Sequence, residues 1–124
     1  MKPKIAVVED NPDNRLLVQA LLEEYYEILE FETGVDAVDR LLDDIPELIL
    51  LDISLPEMDG TEVLGWIRSQ EELMETPVVA LTAHAMAGDR EKFLAAGFND
   101  YLTKPIIDES ILLETIARWL NPEI

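Results

Sequence analysis

The sequence predicts an α/β domain: a doubly wound, five-stranded parallel sheet with helices on both faces. Three observations lead there. Short apolar runs alternate with amphipathic helical stretches five times over, the order that buries a parallel sheet between helix layers. Residues 48–51, Leu-Ile-Leu-Leu, show no polar alternation, as befits a strand covered on both faces. Finally, 124 residues, 48% of them hydrophobic, are enough for one core without staples, so residues 1–124 are expected to form a single domain.

Taken in order, Lys4-Ile-Ala-Val-Val8 is the first strand, and it runs into Glu9-Asp10. Asn11 and Pro12 supply an N-cap and a first-turn proline for a helix carrying Leu17, Leu21 and Leu22 to about Glu24. A second strand is expected over 27–31. Thr33 and Asp36 resemble a capping box, with Val35, Val38, Leu41 and Leu42 at helical spacing behind them, and that helix should stop before Ile45-Pro46. The third strand, 48–51, delivers Asp52 to its carboxyl end. Asp59-Gly60-Thr61 opens a third helix with Val63, Leu64 and Ile67, closed by the polar stretch 69–76 and Pro77. Residues 78–82 form a fourth strand. A loop through His84 leads to a weaker helix ending at Ala96, with Gly97 as a left-handed C-cap. A short fifth strand, 100–103, precedes Lys104-Pro105, and Asp108 caps a last helix with Ile111, Leu112, Ile116, Trp119 and Leu120, ending near Asn121-Pro122. No internal repeat or low-complexity linker interrupts this order.

Composition excludes several classes of function. A net charge of -18 with nine basic residues argues against direct contact with nucleic acid or an anionic membrane, which need clustered Lys and Arg. The absence of cysteine removes disulfides and thiolate metal sites. No apolar run reaches the length of a membrane span, and Ile5 to Val8 is too short for a signal-peptide core, so a cytoplasmic location is expected.

The chemistry gathers at the carboxyl ends of the strands, where open α/β sheets bind ligands. Glu9 and Asp10, Asp52, Thr82 and Lys104 all fall on that rim. Adjacent acids repel unless a cation joins them, and three converging carboxylates suit a hard divalent ion, Mg2+ above all. Asp10 and Asp52 are expected to ligate it directly, and the longer Glu9 through water. A cation together with Lys104 would neutralise a transferred phosphoryl group, and Thr82 could hydrogen-bond one of its oxygens. Asp52 is then the nucleophile; already ionised at neutral pH, it needs no general base.

Val-Val-Glu9-Asp10-Asn, Leu-Leu-Asp52-Ile-Ser-Leu-Pro56-Glu-Met-Asp-Gly60, Leu-Thr82-Ala and Tyr101-Leu-Thr-Lys104-Pro105 occur in this order, and over nearly the whole chain the sequence resembles a response-regulator receiver domain of two-component signalling, of the single-domain type. The resemblance implies a flavodoxin-like strand order, 2-1-3-4-5. It implies that Asp52 accepts a phosphoryl group from phosphohistidine on a histidine kinase or histidine phosphotransferase, with Mg2+ held by Glu9, Asp10, Asp52 and the backbone carbonyl of Ser54. Thr82 would swing toward the phosphoryl group as Tyr101 turns inward, Lys104 would pair with a phosphoryl oxygen, and the Lys104-Pro105 bond would be cis. The surface formed by the fourth helix, fifth strand and fifth helix would change its preference for a downstream partner. On this reading the chain signals by protein contacts or phosphorelay and is not an enzyme beyond its own phosphorylation and slow dephosphorylation.

His84, the one histidine, lies two residues past Thr82, and with Ser54 it is a candidate for tuning the lifetime of the phosphorylated state. Trp66, Phe93 and Trp119 are expected in helix packing or partner contacts. Three other readings compete. A receiver could belong to a larger kinase or transcription factor. A Mg2+-dependent phosphohydrolase with an aspartyl nucleophile, resembling the haloacid dehalogenase family, would want a second acid where Ser54 stands. A flavodoxin-like binder would want a phosphate loop where Glu9-Asp10-Asn11 would repel the phosphate.

Overall fold

The computed structural model describes residues 2–55, 57–83, 89–104 and 109–120. The elements alternate as the sequence predicts: β1 (Lys4–Val8), α1 (Pro12–Leu22), β2 (Glu27–Phe31), α2 (Gly34–Arg40), β3 (Leu48–Asp52), α3 (Gly60–Ser69), β4 (Val78–Thr82), α4 (Asp89–Ala96), β5 (Asp100–Thr103) and α5 (Glu109–Leu120). All neighbouring strands pair in parallel, in the order β2-β1-β3-β4-β5. Every residue of β3 and β4 is buried, which is why those strands are apolar without alternation.

Successive side chains of a strand point to opposite faces, so each central strand feeds two cores. Ala6, Val8, Ile49, Leu51, Val78 and Ala80 meet Ala37 of α2 and Val63, Leu64 and Ile67 of α3. Ile5, Val7, Leu48, Leu50, Val79 and Leu81 meet Val18 and Leu22 of α1 and Leu112 and Ile116 of α5. Phe93 of α4 packs on the first core and Trp119 of α5 on the second, and Trp66 also joins the first.

Local signals set the boundaries. Asn11 Oδ1 accepts from the amides of Asp13 and Asn14, so α1 starts where Asn-Pro predicts. Its end comes earlier than expected, at Leu22 instead of Glu24, and the Leu22 carbonyl accepts from the amides of both Tyr25 and Tyr26 as the chain turns toward β2. Thr33 caps α2 through the Asp36 amide, 3.0 Å from its hydroxyl. That helix stops at Arg40, and Leu41–Asp43 tighten into a 3-10 turn, a common way for a helix to close. At the end of α4, Gly97 takes φ 114°, with Gly97 N donating to Leu94 O and Phe98 N to Phe93 O. This is the left-handed glycine cap that the sequence predicts. The Asp108 cap and the Lys104-Pro105 bond lie outside the described residues.

Candidate functional site

β1 and β3 are neighbours in register, Val8 opposite Leu51, so the residues that follow them emerge side by side at the carboxyl edge. Glu9 leaves β1 fully buried, and Asp52 ends β3 only 1% exposed. Asp10 is half-buried beside them. One carboxylate oxygen from each of Glu9, Asp10 and Asp52 lies within 4.8 Å of the other two. Three oxygen donors at this spacing fit a hard divalent cation and leave coordination positions for water.

Lys104 enters from the end of β5. Its backbone N–H donates to Thr82 O at 2.7 Å, which extends the β4-β5 pairing by one residue and fixes where the side chain starts. Nζ lies 2.8 Å from Asp52 Oδ2 and 3.2 Å from Glu9 Oε2. The other Asp52 oxygen accepts from Ser54 N at 2.9 Å, and Glu9 Oε1 accepts from Asn11 N at 3.1 Å. Burial and the neighbouring Asp52 charge push the Glu9 carboxyl above its ordinary range, with the Asn11 amide and Lys104 only partly opposing them. Burial pulls the Lys104 amine down, yet the hydrogen bond and charge of Asp52, joined by Glu9, outweigh it and leave the amine above its ordinary value. Among the described residues, the Lys104 ammonium thus pairs with two of the three clustered acids, Glu9 and Asp52.

The loop after β3 is held close to the strand end. A Cβ on Gly60 would stand 2.5 Å from the Asp52 carbonyl oxygen and 2.6 Å from Ile53 Cα, so only glycine lets α3 begin this near the site. Glu57 in the same loop adopts φ 65°, in the left-handed region. Ser54, exposed, stands two residues past Asp52.

Thr82 ends β4 on the same rim and is 4% exposed. Tyr101, on β5, is half-buried, its ring 5.6 Å from that of Phe93 on α4. Of the residues singled out in the sequence, Glu9, Asp10, Asp52, Ser54, Thr82 and Lys104 share the rim. Tyr101 stands away from it, between β5 and α4, and His84 lies outside the described residues.

Three polar residues escaped the sequence reading. Arg15 on α1 donates from Nη1 to the carbonyls of Glu9 and Asp10, at 2.8 and 3.3 Å. Arg68 on α3 donates to the carbonyls of Gly97, Met74 and Thr76 and to Asn99 Oδ1, tying the end of α3 to the chain on either side of β4. Asp100, 5% exposed at the start of β5, accepts from Arg118 Nη1 at 3.0 Å, Trp119 Nε1 at 3.1 Å and Tyr101 N at 2.9 Å. For the two arginines the available signal was a basic residue within an otherwise amphipathic helix, and that pattern does not separate an inward arginine from a solvated one.

Comparison with known proteins agrees with this arrangement. The family model described as "Response regulator receiver domain" matches residues 5–117. The sensor protein GacS of Pseudomonas syringae pv. syringae is 41% identical over 121 residues, covering 94% of this chain but only 13% of its own length. The polar-differentiation response regulator DivK of Brucella ovis is 40% identical over 122 residues and is covered, like this chain, to 98%. Among solved structures, the receiver domain of the sensor histidine kinase PA1611 from Pseudomonas aeruginosa PAO1, with a magnesium ion coordinated in its active-site cleft, superposes with a TM-score of 0.87 at 38% identity, covering 97% of this chain and 98% of that one. With the parallel 2-1-3-4-5 sheet and the acid rim already in place, the matches settle the family: this chain belongs to the response regulator receiver domains of two-component signalling.

Proposed function

We propose that Asp52 is the residue at which this chain is phosphorylated, by transfer from a phosphohistidine on a histidine kinase or histidine phosphotransferase. The observation that carries the reading is the convergence of Glu9, Asp10 and Asp52 to within 4.8 Å, with the Lys104 ammonium paired to Glu9 and Asp52. Glu9, Asp10, Asp52 and the Ser54 carbonyl hold Mg2+, which, when bound, offsets the negative charge of the incoming phosphoryl group.

Everything else is done by the chain's own groups. An Asp52 carboxylate oxygen attacks phosphorus; the bond from phosphorus to the donor's imidazole nitrogen breaks, its electron pair returns to the imidazole, and an acyl phosphate forms. Lys104, already 2.8 Å from Asp52 Oδ2, passes to a phosphoryl oxygen. Thr82 donates its hydroxyl to a second one. Tyr101 moves inward from its half-buried place beside Phe93, and the surface of α4, β5 and α5, which exposes Leu94 and Ile111, changes its affinity for a downstream protein. The switch is a population shift, driven by the better fit of the phosphoryl group to one loop arrangement. Ser54, two residues past Asp52, and His84, two residues past Thr82 in the sequence, set the lifetime of the acyl phosphate.

The chain acts in the cytoplasm through protein contacts or by passing the phosphoryl group on, without touching nucleic acid or membrane. Among the described residues no helix is long and apolar enough to cross a membrane. The test is phosphorylation by acetyl phosphate with and without Mg2+, read by intact-protein mass spectrometry. The parent should take up one phosphoryl group only with Mg2+, and Asp52→Asn none. Equal uptake by both proteins, or by neither, overturns the proposal.

A further inference from the structure

The acids of the rim are carried on a loop that has lost its strand partner. Glu9 N still donates to Phe31 O of β2 at 3.1 Å, the last rung of the β1-β2 ladder. In a parallel pair the carbonyl of the same residue accepts from the amide two residues further along the partner strand. β2 ends at Phe31, and that next amide belongs to Thr33, the N-cap of α2, where the chain has left the sheet. The Glu9 carbonyl would therefore go unmatched at the point where β1 turns into its functional loop.

Arg15 fills that place. It sits one turn into α1, is 18% exposed, and points its guanidinium back at the strand end, with Nη1 2.8 Å from Glu9 O and 3.3 Å from Asp10 O. Nε lies 3.8 Å from Glu30 Oε1 on β2, so the group bridges the strand that stopped and the strand that continues. Its hydrogen bonds to the loop go to backbone carbonyls and leave the carboxylates of Glu9 and Asp10 alone. Lys104 does the opposite, bonding the Glu9 and Asp52 carboxylates directly and occupying oxygens that a cation needs.

Resting on the reading of Glu9, Asp10 and Asp52 as a Mg2+ site, we propose that Arg15 is the positioning residue of that site: its guanidinium replaces the missing strand amide at Glu9, fixes the peptide planes of Glu9 and Asp10, and so presents both carboxylates toward Asp52. It also brings a positive charge to the acid cluster without competing for the ligand oxygens. Residues that orient ligands from behind typically change metal affinity by about 10- to 100-fold when removed.

The test is Mg2+ titration by calorimetry, with Mg2+ alone and no phosphodonor, below the unfolding transition of every protein compared. Arg15→Met should bind Mg2+ on the order of tenfold more weakly than the parent. Arg15→Lys keeps the charge but has no planar fork to span two carbonyls, and it should fall between the two. Asp100→Ala, destabilised at the other end of the sheet, is the control for loss of stability alone and should keep the parent's affinity. Parent-like binding by Arg15→Met overturns the proposal, as does an Asp100→Ala loss equal to that of Arg15→Met. If Arg15→Met does not fold, parent-like binding by Arg15→Lys overturns it. Absence of Mg2+ binding in the parent overturns the reading of the site itself and this inference with it.

Discussion

Both ends of the sheet bury acids, and the two ends treat them differently. At the amino end of β5, Asp100 accepts a guanidinium, an indole N–H and a backbone amide, joining the strand to the last turn of α5. At the carboxyl ends of β1 and β3, Glu9, Asp10 and Asp52 crowd together, and the Lys104 ammonium pairs with Glu9 and Asp52. A buried carboxylate surrounded by donors holds the fold together. Carboxylates gathered in greater number than the cations paired with them cost stability, and a protein keeps such an arrangement where something positive, or something that changes charge, is to arrive.

The comparison is broken most directly at Asp100. Asp100→Ala takes the acceptor from the Trp119 N–H and removes the polar link from β5 to α5, and it should cost about 2 to 3 kcal/mol, the cost of leaving partly buried donors unmatched. Urea denaturation measures this. Uptake of phosphoryl from acetyl phosphate should persist in the folded variant; its loss would mean that the two ends are not independent.

Glu9→Gln sharpens the other half of the comparison with a smaller effect of opposite sign. Removing one negative charge from beside Asp52, where burial and that like charge already disfavour the ionised carboxyl, should stabilise the metal-free protein. The pH dependence follows from the direction of the Glu9 shift. Its folded pKa is raised above the ordinary 4.5, so its contribution is most favourable below that value and is lost as pH rises through the raised folded pKa. The stability difference between Glu9→Gln and the parent, without divalent cation, should therefore widen with pH across that window. A difference that narrows instead would mean that Lys104 fully compensates Glu9.

Much of this was legible in the sequence, and what was not has a physical pattern. The five strands announced themselves because β3 and β4 are buried on both faces and cannot carry polar residues except at their ends. For the same reason Asp52 and Thr82 stood out. Lys104 stood out because bases are scarce around it. Arg15, Arg68 and Asp100 did not, since each owes its role to backbone carbonyls or to a helix end brought near by the fold, and neither leaves a mark on local periodicity. Helix ends blurred too: the α1 terminus and the 3-10 turn after α2 depend on where Leu22 and Leu41 meet the core, which the 3.6-residue period does not encode.

The most direct test of undercompensation as the mark of the functional rim is the stability of Asp52→Asn against the parent, by chemical denaturation with and without saturating Mg2+. Asn can still accept from Ser54 N while shedding a charge. The account predicts that Asp52→Asn is more stable than the parent without Mg2+ and gains far less from adding it. An Asp52→Asn protein that is less stable than the parent without Mg2+, and that gains as much from the cation, would contradict it.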